Sequence, residues 1–412
     1  EKVPVTERGK YWLSVHAANM CSGLPVAKGV RLSALSFDER AAWTADNIDL
    51  LMSIALDPFG MREHYWDGFG SHAQTFQALA ACNELKVAAE TGMTSLPVRH
   101  DMSTNNYQHF AAILRDENLG RRTNLIPCDS PNDLHTDVGE ENRRALEEGE
   151  REHEFVEVFM ENADALCNRS SIKDGTLVIG YGGTVRGISN RSLGKKTWHN
   201  LGTEDEPQWK VIAHPDSVIA GLDIPPEDQA KAAFALAQDY EESVYTIAPS
   251  ALTVTNFLRE CTKAANADED VLRWMSPSGL IVSNAPRSRL EFNLTASSIW
   301  ADQSCAQLKF TIFDNEINRR KAITSAPPQF IHSLDASHLH YSVVTMFRNG
   351  KIVAVAVIHD CFGTHASYMD DLRDAVKNGF ADMHRIHVLV PIGEAYGCLL
   401  YTSDAADDLL CV

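Results

Sequence analysis

Two aspartates far apart in the chain each close a short run that reads as a strand. Leu96-Pro97-Val98-Arg99-His100 leads into Asp101, and Ala354-Val355-Ala356-Val357-Ile358-His359 leads into Asp360. The β-branched and small apolar residues from Ile352 to Ile358 predict a buried strand. A carboxylate at the end of such a strand is costly unless its charge is offset, and a metal ion is the usual offset where chemistry is done. Two such carboxylates can hold a pair of Mg²⁺ ions, one activating an attacking hydroxyl and the other stabilising a leaving phosphate oxygen. The plainer alternative is that each Asp caps a helix or a turn.

Between the two acids lies Arg169-x-x-x-Lys173, followed by Tyr181-Gly182. On a helix, Arg169 and Lys173 fall roughly 40° apart, on one face, and Tyr181 about 80° further round. Two cations on one face suit a triphosphate, with Arg gripping bidentately and Lys acting as a mobile point charge or acid. A solvated basic patch is the alternative for any isolated pair of this kind.

The elements that must carry these residues follow from periodicity and punctuation. Helices are expected from Lys10 through Asn19, over residues 36–55 with a start signal at Ser36-Phe37-Asp38-Glu39, and over residues 72–89. Asn105 opens an amphipathic helix with Tyr107, Phe110, Ala111 and Leu114 on one side, and Gly120 reads as its stop. Helical character continues to Asn168 and through Arg169 to Ile179, although Asp174-Gly175 weakens the last part. Residues 195–225 read as loop or short strands. Pro226 suits the first turn of a helix that runs to Tyr245, and residues 252–265 form another. Residues 275–320 read as β-hairpin material with a basic end. A helix over residues 336–347 stops at Asn349-Gly350, and Ser367 with Asp370 reads as a capping box.

Composition sets the class. With 412 residues there is room for two or three domains, and 44% hydrophobic residues place the chain among globular proteins. No apolar run reaches membrane-spanning length. Nine dispersed cysteines without a Cys-x-x-Cys pair argue for free thiols and against a zinc ribbon. The net charge of −19 argues against a uniformly basic nucleic-acid binder, but much of the acid sits in residues 133–164, as a solvated helical face would.

Taken in order, these segments resemble the catalytic palm and fingers of the single-subunit, bacteriophage-type RNA polymerase family, which includes mitochondrial RNA polymerase. The likeness runs from about Gly9 to Val388. Leu96-Pro-Val-Arg-His-Asp101, with Gln108-His109-Phe110, is similar to motif A. Arg169, Lys173, Tyr181 and Gly182 are similar to motif B. Phe330-Ile-His332-Ser-Leu-Asp335-Ala-Ser337-His338 is similar to the segment ahead of motif C, and His359-Asp360-Cys-Phe-Gly-Thr364 to motif C itself.

The resemblance implies an α/β (α+β) fold, a right-hand polymerase palm with a small antiparallel sheet and mainly helical fingers. The first part of the palm would span residues 1–132, the fingers 133–329 and the second part of the palm 330–397. Residues 398–412 resemble a translated sequencing adapter and are expected to be a non-native tail. The missing start and this tail suggest a fragment.

It implies that Asp101 and Asp360 ligate two Mg²⁺ ions with help from the Met102 carbonyl, and that Lys173 and Arg169 contact the incoming triphosphate. Tyr181, beside Gly182, would sit by the ribose and help prefer NTPs over dNTPs, and His332 would lie near the new base pair or the 2′-hydroxyl. Gln108, His109 and His359 would support them. The implied reaction is DNA-directed RNA synthesis by a monomer from NTPs, with a DNA template and an RNA product and without a membrane. It would occur in the cytoplasm of an infected host cell or, alternatively, in a mitochondrion. The run Met102-Ser-Thr-Asn-Asn-Tyr107 departs from the small residues usual after motif A. The rivals are a family A DNA polymerase, which instead has an aromatic residue where Leu177 stands and an acid where Cys361 stands, and an inactive remnant that binds nucleic acid.

Overall fold

In the computed structural model, residues 1–30, 32–66, 73–128, 131–194, 197–200, 203, 206, 208–297, 305–350 and 354–398 are described. The expected tail beyond Cys398 lies outside them. The chain divides into two compact units. The first holds Glu1–Asn105, Ile126–Asn132 and Asp335–Ile386, and the second holds Asn106–Leu125, Asp133–Leu334 and the described residues from His387. Helices dominate both, and the sheets are small and antiparallel, so the fold is a mixed α/β one as expected.

The first unit is built on the helix Glu7–Cys21, which buries Trp12, Leu13, Val15, Ala17, Ala18 and Cys21 in one apolar cluster with Leu51, Ile54, Phe362 and Leu372. Its three-stranded sheet has the central strand Cys361–His365 flanked by Ala356–Ile358 and Pro97–Asp101. Phe362 on the central strand is fully buried. Entry into Pro97–Asp101 is fixed by Glu84, whose carboxylate accepts from the Thr94 hydroxyl at 2.5 Å and the Leu96 amide at 2.9 Å, and also from the Ser95 amide.

Several local expectations change. The buried strand ahead of Asp360 is an edge strand, and Ile358 is 59% exposed. The buried position belongs to Cys361–His365, which pairs on both sides. Residues 352 and 353 of the expected strand lie outside the described residues. The helix expected over 36–55 is two, Phe37–Asp46 and Ile48–Leu56, and Ser36, in the expected start signal, forms a capping box with Glu39.

Ser367 and Asp370 form no capping box, because a 3₁₀ turn over Ala366–Tyr368 precedes the helix Met369–Met383. Ser367 instead accepts the Thr6 amide at 3.1 Å and donates to the Pro4 carbonyl at 2.9 Å. Asp370 takes a two-pronged bond from Arg8 at 2.7 and 3.1 Å and the Trp12 indole N–H at 3.0 Å. Both residues therefore serve the packing of the first helix.

The second unit centres on the helix Arg169–Gly180. Ile172, Gly175, Thr176, Ile179 and Gly180 are buried at i, i+3, i+4 spacing. Gly175, which weakens the helix on propensity, is where the Tyr240 ring comes closest. A Cβ there would lie 3.0 Å from that ring. Packing outweighs about 1 kcal/mol of propensity.

Gly120 does not stop the helix that opens at Asn105. The break is at Arg115, whose φ is 56°, and Gly120 is buried inside the next helix, Glu117–Arg122. Pro226 precedes rather than opens the helix Gln229–Ile247, whereas Pro249 opens Pro249–Ala267. Two hairpins fill the expected β region, Arg273–Met275 with Ile281–Ser283 and the long pair Arg287–Ser297 with Cys305–Ile317. The helix expected over 336–347 starts at Arg319 and continues through Pro327 and Pro328, each of which removes a backbone donor without ending it.

His16, on the central helix of the first unit, is buried, and burial with the nearby Arg99 charge lowers its pKa to about 4, against a smaller opposing pull from Glu84. The folded state therefore holds this imidazole neutral while the unfolded chain protonates near pH 6.5. Its contribution to stability is intact above pH 6.5 and is lost as pH falls from there towards 4, by about 3 kcal/mol in full. Thermal melts across that range are expected to show a falling midpoint, with a shallower fall in His16→Gln.

Candidate active site

Antiparallel pairing places Asp101 directly opposite Cys361, so it stands one residue from Asp360. Neighbouring strands put such positions roughly 6 Å apart at their Cα atoms. Both acids are close enough that their charges raise the pKa of the Cys361 thiol, although burial is the larger cause. Asp101 is exposed, and the Asp360 side chain is 25% exposed. Asp360 is not on a strand. It shares with His359 the two-residue turn that joins Ile358 to Cys361. His359 has φ of 56°, a left-handed conformation that is uncommon for a residue other than glycine.

His359 lies between two carboxylates. Its Nδ1 is 2.9 Å from Asp360 Oδ1, and its Nε2 is 3.1 Å from Asp335 Oδ2. Partial burial lowers the imidazole pKa, but the Asp360 bond and the charges of Asp335 and Asp360 outweigh it, so the net shift is upward. Asp335 is buried, its side chain only 4% exposed, and its Oδ1 accepts from Asn105 Nδ2 at 2.7 Å. Asn105 follows the loop after Asp101. In that loop Thr104 takes φ of 51°, where a β-branched residue is strained. Met102 is half-buried against the core.

In the second unit, Lys173 is exposed and the Arg169 side chain is 40% exposed, both at the edge of their helix's buried stripe. Both charges bear on His135. Burial is the main cause of that residue's lowered pKa, about 4, with the two cations adding to it against a larger pull from Asp133. Lys173 is exposed, and Arg169 is ion-paired with Asp133, the cap of the helix Leu134–Glu147. Tyr181 caps the other end of the Arg169–Gly180 helix, about 18 Å from Arg169 along the axis. Half-buried, it packs on the exposed His332 with ring centroids 5.2 Å apart.

Gly182, at φ of 68°, follows. A Cβ there would come within 2.8 Å of Pro327, and its carbonyl accepts from Arg259 at 3.3 Å. Gln108 and His109 are buried in this unit, Gln108 donating to the Thr123 carbonyl at 2.7 Å.

Two acids carried no role in the sequence. Asp335 could have been found as the lone carboxylate on a helical face with Ile331, Leu334 and His338. Asp133 gave no signal of its own.

Among the described residues, no group of three or more His, Cys, Asp or Glu side chains forms a closed metal cage. The donor set nonetheless suits Mg²⁺, which is held by one or two carboxylates and completes its shell with water and substrate phosphates. Asp101 and Asp360 are hard oxygen donors at a solvent-reached sheet end. Among the described residues no helix is long and apolar enough to cross a membrane.

A family model described as DNA-dependent RNA polymerase matches residues 3–398. The chain is 26% identical to DNA-directed RNA polymerase 2B, chloroplastic/mitochondrial, of Nicotiana tabacum, over 95% of this chain and 35% of that protein. It is 26% identical to T7 RNA polymerase of Escherichia phage T7, over 92% and 44%. It is 25% identical to the mitochondrial DNA-directed RNA polymerase of Homo sapiens, over 94% and 28%. The chain thus spans less than half the length of these relatives.

Gly182→Ala is expected to destabilise the protein by about 1–3 kcal/mol, through left-handed strain and collision with Pro327. Gly221→Ala, where a Cβ meets open space, should stay within about 0.5 kcal/mol. Denaturant midpoints of the two variants check this.

Proposed function

This chain belongs to the DNA-dependent RNA polymerase family, in its single-subunit phage and organellar branch, and we propose that it forms the nucleotidyl-transfer centre of such an enzyme. The observation that carries the reading is the strand register that sets Asp101 beside Asp360 at one solvent-reached sheet end. In this reading the protein extends an RNA 3′-end with NTPs on a DNA template, as a monomer. The first unit contributes palm and the second fingers. The setting is the cytoplasm of an infected host cell or a mitochondrion.

Asp101 and Asp360, with the Met102 carbonyl, would hold the two Mg²⁺ ions. When bound, these ions lower the pKa of the attacking hydroxyl and offset charge on the leaving phosphate oxygens. Arg169 grips phosphate oxygens bidentately, and to do so it exchanges its bond to Asp133 for one to the substrate. Lys173, exposed one helical turn on, supplies a mobile charge and a proton for the departing pyrophosphate. Tyr181 and His332 form one aromatic surface for the sugar and base of the incoming nucleotide, and the left-handed Gly182 sets the angle at which the helix ends there. Gln108 and His109 act from the core by holding the helix after Asp101, and His359 holds Asp360.

The test is extension of an RNA primer annealed to DNA, with Mg²⁺, by the full-length protein carrying this sequence. NTPs should be used in preference to dNTPs. Asp360→Asn should lower the rate by about 10³-fold or more, since a metal-held carboxylate is worth several kcal/mol of transition-state stabilisation. Preference for dNTPs would point to a DNA polymerase and overturn the role of Tyr181. No extension at all would point to an inactive relative.

A further inference from the structure

One buried carboxylate touches both of the segments that carry the acids. Asp335 Oδ1 accepts from Asn105, at the end of the loop that follows Asp101, at 2.7 Å. Its Oδ2 lies 3.1 Å from Nε2 of His359, the residue before Asp360, and the other nitrogen of that ring is 2.9 Å from Asp360 Oδ1. Each segment contains a residue in the left-handed region, Thr104 and His359. Such conformations persist only where the surroundings over-determine them. Burying a carboxylate costs free energy unless it is well bonded, so its retention on a buried helical face calls for a reason. The helix that carries Asp335 is itself held against the sheet by His338, which packs on Phe362 with centroids 5.3 Å apart and bonds the Val376 carbonyl at 2.9 Å.

We propose that Asp335 is a positioning residue that clamps the loop after Asp101 and the turn before Asp360 to one helix, and so sets the placement of the two carboxylates that take divalent metal. The proposal rests on the functional reading above. Asp335 does not itself touch metal or substrate. One of its oxygens fixes the Asn105 side chain and the other fixes the His359 ring, which in turn fixes the Asp360 carboxylate through Oδ1. This is the arrangement in which an outer partner sets the orientation of a ligand, and loss of such a partner costs about 10–100-fold in metal affinity.

The experiment is Mn²⁺ binding without nucleotide or nucleic acid, followed by electron paramagnetic resonance, on the full-length protein carrying this sequence. The variants are Asp335→Asn, His359→Asn, the double variant and Asp360→Asn, with cooperative folding checked by thermal melting. Asn is chosen at position 359 because it tolerates the left-handed backbone but is too short to bridge the two acids.

Asp335→Asn is expected to weaken Mn²⁺ binding by about tenfold or more. The double variant is expected to be clearly less weakened than the product of the two single losses, since part of the Asp335 effect passes through His359. Unchanged Mn²⁺ affinity in folded Asp335→Asn overturns the proposal, as do losses that simply multiply. Should Asp335→Asn not fold, Asn105→Ala, which keeps the carboxylate and releases one segment, carries the same expectation and the same refutation. Asp360→Asn separates the two levels. If it binds Mn²⁺ like the parent, the metal reading of the site falls, and this proposal with it. If it loses binding while Asp335→Asn does not, only the positioning role falls.

Discussion

The pairing of Pro97–Asp101 with Cys361–His365 is the constraint on which the first unit turns. Side chains alternate along a strand, so a slip of one residue would move every partner to the other face. The buried Phe362 resists that slip, because it would have to leave a core that includes Trp12 and Leu372. Register is therefore set by apolar packing, and the position of the two exposed or part-exposed acids follows from it. The acids themselves contribute little to stability. They are carried by a sheet whose interior holds them in place.

The second unit places its cations by a different device. A helix with one continuous buried stripe has a fixed rotation about its axis, and burial of Ile172, Thr176 and Ile179 leaves Lys173 exposed and Arg169 part-exposed at the stripe's edge. The ends of the same helix are specialised. At the start Asn168 caps two amides and Arg169 is held by Asp133. At the finish Tyr181 stacks on His332, and Gly182 turns the chain under Pro327. The acidic composition does not oppose this. Arg144 alone gathers Glu141, Glu148 and Glu150 on the surface of a neighbouring stretch, so part of the negative charge is locally neutralised.

Two of the five described non-glycine residues with left-handed backbone, Thr104 and His359, sit beside the proposed chemistry. Thr104 and His359 occupy a region that costs of order 1–3 kcal/mol for such residues, and each adjoins a segment bearing one of the two acids. One of these residues, Thr104, lies in the run after Asp101 where small residues would be usual. Thr104 adopts the left-handed shape without being glycine, and the bond from Asn105 to Asp335 anchors the chain immediately after it.

The sequence by itself determined the helical stripes, the helix start at Ser36 and the ordered set of motifs, because these depend on residue types at short spacing. It also identified the family, since several modest motifs in a fixed order are hard to obtain by chance. Tertiary structure alone decided which strand is central, because burial on two sides is a property of the neighbours and not of the run itself. It decided that Ser367 and Asp370 bind the first helix instead of capping their own, and that Gly120 continues a helix while Arg115 breaks one. It brought Asp335, which the sequence placed in a motif segment without a role, between Asn105 and His359. No local pattern encodes such a contact, because its partners come from three distant segments and meet only when the sheet has its register and the helix its place.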